Sequence, residues 1–400
     1  MTKLPTWLKP IYEQVEKEYS ALELPKAEKT HIKNWDFEGL ETVNTVSSEP
    51  IDLKLIGKTY ENVVVIRDGA MIYKKLTGDF EGVIISTLEE AFENHQDLIK
   101  PYFGNIIPAN TNRLTALNFL NLNSGLMIYV TKNKVIEPPL HVIYIGEQRA
   151  LMNHNLIILS QSSQLKYIES ELRSSQAVAN LNTEIVIGEN AKLDYTVLET
   201  FPEHVLTYKY TKVQVQANGN LASSIGSLSE GHVISENLVS LVGAGASAEV
   251  KTIAIAQNNQ KQNITVEVEH LAPHTMGNIM NHGITKDKAQ LVFNGIGKIH
   301  KGMHGSDAQQ SSRAMILSET ARADANPLLL IEEYDVTAGH AAGVGKIDEE
   351  QMYYLMSRGL SRREAETLII HGFLMPFVNE IQSETVQVEL TKLIEQKIKA

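Results

Sequence analysis

Histidine has the greatest potential for chemistry in this 400-residue sequence, because imidazole binds transition metals and carries protons near neutral pH. Seven of the thirteen histidines fall in the last third of the chain, at positions 270, 274, 282, 300, 304, 340 and 371. The pairs His270/His274 and His300/His304 have a four-residue spacing, which on a helix places two imidazoles on one face. Their surroundings follow a strand-and-turn pattern without an HExxH motif. We therefore expect hydrogen-bonded structural histidines, with a metal site as the alternative.

His340 has a different setting, a run of small residues over 335–345 that reads DVTAGHAAGVG. Small neighbours allow a ligand or another backbone to approach closely. A histidine in such a place is a candidate metal ligand or proton carrier. The alternative is a simple junction residue between two parts of the fold.

Several kinds of chemistry are excluded by residue type. The chain has no cysteine, which excludes disulfides, thiol nucleophiles, zinc fingers and clusters held by its own thiolates. Residues 243–248 (GAGASA) imitate a dinucleotide-binding fingerprint, with Glu267 at nearly the right distance, but the next residues alternate like a strand instead of opening a helix. We predict a turn there. No phosphate-binding P-loop is present, so nucleotide hydrolysis is not expected.

The charge balance is acidic, with 36 Lys and Arg against 48 Asp and Glu and a net charge of −12. Without a basic block, the chain is a poor candidate for binding nucleic acid or an anionic membrane surface. No apolar run approaches the roughly 20 residues of a spanning helix, and the first residues lack the apolar core of a signal peptide. We expect a cytoplasmic protein.

The first 120 residues predict a mixed α/β region without visible chemistry. A short helix is expected over 12–22, and a strand–turn–strand unit over 63–73. Ser86 followed by Glu89 predicts a capping box at the start of another helix.

From about residue 120 the pattern changes to short alternating segments separated by small turn residues. The corresponding positions Leu165, Leu193, Leu221 and Ala248 are 28, 28 and 27 residues apart. This even repeat of strands favours a stacked β-solenoid, with an all-β sandwich as the alternative. After Ala248 the repeat becomes indistinct, and the next comparable strand start is expected near Leu291.

The last 60 residues predict two capped helices that form a hairpin. Asp348 caps the first, which ends at Gly359, and Ser361 with Glu364 caps the second. The apolar stripes are expected at Met352, Leu355 and Met356, and at Ala365, Leu368, Ile369, Phe373 and Phe377. The hairpin is either a docking surface or a cap on the solenoid end.

The C-terminal third resembles the SufB/SufD family of the SUF iron–sulfur cluster assembly system. The similarity is strongest over 265–380, in the strings NPLLLI (326–331), DVTAGHAA (335–342), YLMSRGL (354–360), EAE (364–366) and HGF (371–373), with weaker matches at 270–275 and 321–325. The resemblance implies a right-handed parallel β-helix core between an N-terminal and a C-terminal domain. The expected fold is mainly β, with an α/β domain over 1–120, the β-helix core over 121–335 and a helical domain over 336–400.

The resemblance also implies a function. Family members are not enzymes by themselves, and the implied role is a non-catalytic scaffold that pairs with a SufB-like paralogue and docks a SufC-like ATPase. It includes iron acquisition and nascent cluster formation, with a homodimer as an option when the chain is alone. Without cysteine this chain would need its partner to supply every thiolate. The role of SufB requires cysteine, so the chain is expected to belong to the other branch of the family, whose members pair with SufB.

Site residues follow from the same resemblance. His340 corresponds to a family histidine at the partner interface, and is the candidate ligand for iron or a nascent cluster bound there transiently; no permanently bound cofactor is expected. Ser357, Arg358, Gly359 and Phe373 are predicted to lie at the ATPase docking surface. Many relatives have Lys, then His-Gly-Ala-Thr, where this chain has Thr337 and the sequence HAAG over 340–343.

A carbohydrate-acting β-helix enzyme is the alternative from a different class. Such lyases and hydrolases are usually exported and need paired acids, or an acid and a base, in a cleft. The predicted solenoid shows no obvious pairing of acids.

Overall fold

The computed structural model describes residues 5–38, 52–146, 150–174, 176–379, 381 and 384–399. It is 44% strand and 22% helix and contains a β-solenoid of about 7 turns, an N-terminal α/β region and C-terminal helices. The prediction of a mainly β fold is therefore confirmed. Among the described residues, no helix combines the length and the apolar character needed to cross a membrane.

The N-terminal region contains five helices and three strands among its described residues. They are α1 (Lys9–Glu18), a 3₁₀ turn (Tyr19–Ala21), α2 (Leu53–Thr59), β1 (Asn62–Arg67), β2 (Ala70–Lys75), β3 (Val83–Thr87), α3 (Leu88–Asn94), α4 (Gln96–Ile99) and α5 (Arg113–Leu120). The predicted strand–turn–strand unit is the antiparallel pair β1–β2. Asp68 and Gly69, both at positive φ, form its tight turn.

The predicted capping box is one residue out of place. Ser86 lies inside strand β3, where it pairs with Met127, and the helix begins only at Leu88. Thr87 ends the strand and caps α3 instead. Its hydroxyl accepts from the Glu90 amide at 3.2 Å, and Glu90 accepts from the Thr87 amide at 3.0 Å.

Sixteen further strands follow in the described chain. They are β4 (Leu126–Val130), β5 (Leu140–Gly146), β6 (Leu151–Leu159), β7 (Gln164–Ser174), β8 (Val178–Ile187), β9 (Lys192–Glu199), β10 (Leu206–Val215), β11 (Asn220–Ser227), β12 (Val233–Leu241), β13 (Ser247–Ala256), β14 (Lys261–His270), β15 (Met276–Thr285), β16 (Gln290–Ile299), β17 (Asp307–Ile316), β18 (Arg322–Ile331) and β19 (Thr337–Lys346). They form two sheets in the orders β19-β17-β15-β13-β11-β9-β7-β5-β1-β2 and β18-β16-β14-β12-β10-β8-β6-β4-β3. From β4 on, successive strands thus alternate between the two sheets, and each coil contributes one strand to each sheet. This arrangement confirms the solenoid and not the sandwich.

The predicted repeat gives the register of one sheet. Leu165 pairs with Leu193, Leu193 with Leu221, and Leu221 with Ala248. The expectation of Leu291 as the next member is wrong, because Ala248 pairs with Gly277 and Leu291 lies in the other sheet. Longer turns shift the repeat: hydrogen-bonded neighbours on adjacent coils are 29 residues apart at Glu249–Asn278 and 31 apart at Asn281–Ser312.

The GAGASA segment is a turn, as predicted. Gly245 has φ +72 and strand β13 begins at Ser247. A Cβ at Gly243 would lie 1.9 Å from the Ala217 amide nitrogen, so the adjacent coil needs glycine there. Packing between coils explains this glycine without a nucleotide.

The space between the two sheets is the main hydrophobic core. Val64, Ile128, Leu193 and Phe293 are among its fully buried members. Polar side chains also point inward, including Lys209, whose ammonium lies 3.0 Å from the Glu199 carboxylate with both residues fully buried. A buried pair of this kind is costly to break, because the remaining charge has no water around it.

The C-terminal helices are α6 (Glu349–Ser357), α7 (Arg362–Val378) and α8 (Glu384–Lys399). Asp348 and Ser361 cap α6 and α7 as predicted, and Ser361 with Glu364 forms the expected capping box. Helices α7 and α8 pack on the outer face of the ten-stranded sheet, against residues such as Ile253 and Ile284.

One expectation for this region, the apolar stripe of α7, is wrong in part. The buried residues of α7 are Ala365, Ile370, Leu374, Phe377 and Val378, whereas Leu368 is 52% exposed. The predicted helical region also contains a third helix that the sequence pattern did not delimit, α8, which buries Val386, Leu390 and Ile394 against the same sheet.

Strand structure also continues beyond the predicted end of the β core. β19 pairs with β17 in parallel along its whole length, so 337–346 is the last strand of the solenoid and not part of a helical segment. The domain limits 1–120, 121–335 and 336–400 otherwise stay predictions.

Candidate functional site

The solenoid ends in two edge strands, β18 and β19, the outermost strands of their sheets. Nine of the ten residues of β19 are exposed. The Thr337 amide donates to the Ser306 carbonyl at 3.0 Å. Because backbone groups alternate along a strand, those of His340, Ala342 and Val344 point to the free edge. An edge of this kind can pair with a strand of another chain.

The edge of β18 is different in chemistry. The Arg322 amide donates to the Ala289 carbonyl at 2.9 Å, so by alternation the nitrogen of Pro327 faces the free edge, where proline costs no sheet hydrogen bond. Leu328 and Leu330 are each 48% exposed on the outer face, and Tyr334 beyond the strand is fully exposed. The solenoid end therefore combines an open backbone edge with exposed apolar side chains.

His340 belongs to this edge and is not a junction residue, because it lies in β19 opposite Gln310 of β17. Gln310 in turn pairs with Ile279. Both of these residues are buried in the solenoid interior, and paired residues of parallel strands project to the same face. The imidazole of His340 thus lies at the mouth of the interior, in an exposed position.

The floor below His340 is polar. The Gln310 amide nitrogen donates to the Leu328 carbonyl at 2.8 Å, and its amide oxygen is buried without a hydrogen-bond donor. Gly295 makes room for this amide, since a Cβ there would lie 2.4 Å from the oxygen. The mouth of the solenoid is therefore suited to polar or charged groups.

The prediction of hydrogen-bonded structural histidines is confirmed for His270 and His300. The Nδ1 atom of His270 lies 2.7 Å from the Thr275 hydroxyl, and burial lowers the pKa of this imidazole to about 4. The Nε2 atom of His300 lies 2.6 Å from the Glu269 carboxylate.

His274 and His304 meet each other on adjacent coils, with ring centroids 4.8 Å apart. Within the described residues, no group of three or more His, Asp or Glu side chains is arranged to hold a metal ion.

Three of the four predicted docking residues lie together at the exposed tip of the α6–α7 hairpin. Gly359 has φ +97 and ends α6, the Ser357 hydroxyl donates to the Tyr354 carbonyl at 2.7 Å, and the Arg358 guanidinium lies 5.1 Å from the centre of the Tyr354 ring. Such a cation–π contact holds an exposed side chain in place.

Phe373 lies apart from the other three. Its ring stacks on His282 of strand β15, with centroids 4.9 Å apart and an interplanar angle of 18°. It therefore connects α7 to the solenoid and does not lie on the hairpin tip.

Four apolar residues of the hairpin are exposed, of which the sequence pattern placed Met356 and Leu368 on buried stripes and did not single out the two tyrosines. These are Tyr353, Tyr354, Met356 and Leu368, with 76%, 56%, 41% and 52% of their surface exposed. The sequence held one indication of this exposure. Two adjacent tyrosines follow Met352, and adjacent residues cannot both face the same side of a helix as a buried neighbour.

Comparison with known proteins places these features in a family. A family model described as "SUF system FeS cluster assembly, SufBD core domain" matches residues 142–373, and one described as "SufBD protein N-terminal region" matches residues 59–142. The iron–sulfur cluster assembly protein SufD of Bacillus subtilis is 37% identical over 99% of this chain and 95% of its own length. SufBD family proteins of Staphylococcus saprophyticus and Staphylococcus aureus are 28% identical over 82% of this chain and 72% of theirs.

Proposed function

Because the chain belongs to the SufBD family of iron–sulfur cluster assembly proteins, we propose that it is a non-catalytic scaffold subunit of a SUF complex. In this proposal it pairs with a SufB-like paralogue, docks a SufC-like ATPase, and takes part in iron acquisition and nascent cluster formation. The observation that carries the proposal is the open solenoid end, with its free backbone edge and exposed apolar residues.

The open end supports pairing with a second β-solenoid. The free backbone groups of β19 offer hydrogen bonds that only an extended strand can satisfy in series. In this proposal the partner is the SufB-like paralogue, which supplies a strand that pairs with this edge. A second copy of this chain could use the same edge when the paralogue is absent.

His340 is the residue at this edge that can bind cargo. Neutral imidazole binds iron beside thiolates, as in clusters with mixed histidine and cysteine ligation. The chain has no cysteine, so in this proposal His340 supplies a nitrogen and the paralogue supplies the sulfur ligands. Iron or the nascent cluster is then held between the two subunits, and it leaves as the finished cluster.

The hairpin tip supports ATPase docking. Tyr353, Tyr354 and Leu368 are exposed apolar side chains of the hairpin, and Arg358 beside Tyr354 adds a positive charge. α7 packs on the solenoid through Ile370, Leu374 and Phe377, so a force on the hairpin reaches the β core. A nucleotide-driven movement of the ATPase would thereby act on the solenoid.

The test is reconstitution from purified proteins. We expect this chain, the SufB-like paralogue and the SufC-like ATPase of the same organism to elute together from a sizing column, with a mass by light scattering that accounts for all three. The chain alone, run at the same concentration, measures self-association. If it binds neither protein, the scaffold proposal is wrong.

The carbohydrate-acting alternative receives no support from the described structure. Glu169 and Glu199 are neighbouring acids, but they are 2% and 0% exposed inside the solenoid. A polysaccharide cannot reach them without unfolding the coil.

A further inference from the structure

One turn position recurs on successive coils with the same unusual backbone. It has a positive φ at each coil, in the order Ser162 (58°), Asn190 (56°), Asn218 (53°), Gly245 (72°), His274 (59°) and Gly305 (68°). This left-handed region suits glycine best, and asparagine, aspartate and histidine are the other residues enriched there. His274 is the one residue with an aromatic side chain among these six. A residue held in such a conformation is a reason to look for a function.

The next coil leaves space for this ring. A Cβ at Gly305 would lie 2.3 Å from the Nδ1 atom of His274, so the imidazole leans over the backbone of that glycine. The ring of His304 stands beside it, with centroids 4.8 Å apart and an interplanar angle of 84°. Both histidines are exposed, so water and dissolved ions reach them.

The backbone under the two rings is rigidly held. The His274 amide donates to the His304 carbonyl at 2.9 Å. Below it, the hydroxyls of Thr275 and Ser306 lie 2.9 Å apart and are buried, and the Thr275 hydroxyl also donates to the Ala272 carbonyl at 3.1 Å. Side chains presented from fixed backbone lose little freedom when they bind a ligand.

We propose that His274 and His304 form a surface binding site for a divalent transition-metal ion such as Zn²⁺. Neutral imidazole is the ligand that zinc, copper, nickel and iron share. With metal–nitrogen bonds of about 2.1 Å and a tetrahedral angle, two imidazoles have centroids roughly 5 Å apart, close to the observed separation. The χ2 torsion of histidine is broad, so small ring rotations bring one nitrogen of each ring to the ion.

Within the described residues, no third His, Asp or Glu side chain joins these two in a metal-binding arrangement, so solvent completes the coordination of the ion. The carboxylate of Glu333 lies close enough to His304 for an electrostatic interaction, and its negative charge favours a cation at this corner. Glu333 itself accepts the Gly302 amide at 2.7 Å and the Tyr334 amide at 2.8 Å, which keeps it in place. The site is distinct from His340 and does not depend on the proposed scaffold function.

The test is Zn²⁺ binding to the purified full-length chain, measured by competition with a chromophoric chelator at about pH 7.5, where ordinary imidazoles are mostly neutral. His274→Asn keeps a residue that two other coils accept at positive φ, and His304→Gln keeps the size of the side chain. We expect each variant to bind Zn²⁺ more than about tenfold more weakly, a loss that even outer-shell changes cause at metal sites. His300→Gln, in the same turn as His304, is the matched control and should stay within about twofold.

The proposal is overturned if the wild type binds no Zn²⁺, if both variants bind as the wild type does, or if His300→Gln loses as much affinity as they do. Modification with diethyl pyrocarbonate, mapped by mass spectrometry on the wild type, tests the site without a substitution. Zn²⁺ should protect His274 and His304 and leave His204 reactive. Protection elsewhere, with these two still modified, also contradicts the site.

Discussion

His340 completes a column of side chains that runs through the interior of the solenoid. Gln310 and Ile279 precede it on successive coils, and Val250 and Ser223 continue the column downwards. The members are buried until the last coil, where the column reaches solvent. The role of His340 therefore depends on what covers the end of the solenoid.

His340→Ala should lower the yield of iron–sulfur cluster on the reconstituted three-protein complex by about tenfold or more, because a nitrogen ligand is lost at the interface. Assembly of the complex itself should persist, since the substitution leaves the backbone edge intact. Cluster yield is read from the visible absorbance after anaerobic reconstitution. His204→Ala, at an exposed turn, is the control. An unchanged yield in His340→Ala would remove this residue from the proposed role.

Glu236 makes stability depend on pH. It accepts from the Tyr208 hydroxyl at 3.0 Å, and Tyr208 accepts from the Asn112 side chain at 2.8 Å. Burial raises the pKa of the Glu236 carboxyl from 4.5 to about 7, with a further contribution from the charge of Glu267. The folded state therefore binds a proton between about pH 4.5 and 7 that the unfolded state has released, and its stability falls as pH rises through this range.

Glu236→Gln removes this penalty. We expect the variant to exceed the wild type by about 2 to 3 kcal/mol in free energy of unfolding at pH 8, and to match it near pH 5, where the carboxyl is protonated. Urea unfolding at the two pH values measures the difference. Glu203→Gln, at an exposed position, should show no such dependence. An equal effect of Glu236→Gln at both pH values would contradict the raised pKa.

The C-terminal hairpin has two faces, one packed on the solenoid and one exposed to solvent. Its solenoid face carries Phe373, stacked on His282, and its solvent face carries Tyr354 and Leu368. The predicted docking set mixed the two faces, because sequence similarity does not say to which side of a helix a residue points.

Substitutions should separate these faces. Tyr354→Ala and Leu368→Ser should weaken binding of the SufC-like ATPase by about tenfold, since exposed apolar residues carry such contacts, with thermal stability unchanged. Phe373→Ala should instead cost about 2 to 4 kcal/mol of folding stability by opening a cavity, with docking retained. Calorimetric titration and thermal unfolding measure the two effects. Loss of docking in Phe373→Ala with normal stability would reverse the assignment.

The sequence predicted elements well where side chains alternate strongly. Leu165, Leu193 and Leu221 were found in their true register because the coils between them have equal length. β19 could not be predicted, since an edge strand of glycine and alanine buries almost nothing and shows no apolar period. The contact of His274 with His304 was also out of reach, because it depends on coil stacking and not on spacing along the chain.

At the scale of the whole molecule, the two ends of the solenoid differ. The first end has the antiparallel strands β2 and β3, and the last end has the free parallel edge of β19. By the alternation of backbone groups, the Ala342 amide faces this edge and takes no part in the β17–β19 ladder.

Ala342→Pro should therefore block strand pairing without breaking the fold, because proline is tolerated at edge strands. We expect binding of the SufB-like paralogue to weaken by at least about tenfold, or 1.4 kcal/mol, with thermal stability unchanged. Ala342→Val keeps the amide and is the control. Full binding by Ala342→Pro would mean that the two proteins meet through another surface.

The polarity of the coil stack also has a consequence during protein synthesis. A ribosome releases the antiparallel end first, so every later coil emerges beside a finished template and can fold as it appears. The last coil differs, since it gains only one neighbour where inner coils have two, and stability in repeat proteins is a sum over neighbours. A binding partner at that edge supplies the missing neighbour and stabilises the coil by mass action. The lifetime of the subunit in the cell should then follow the abundance of its partner, with unpaired copies fraying from the last coil and removed first by proteases.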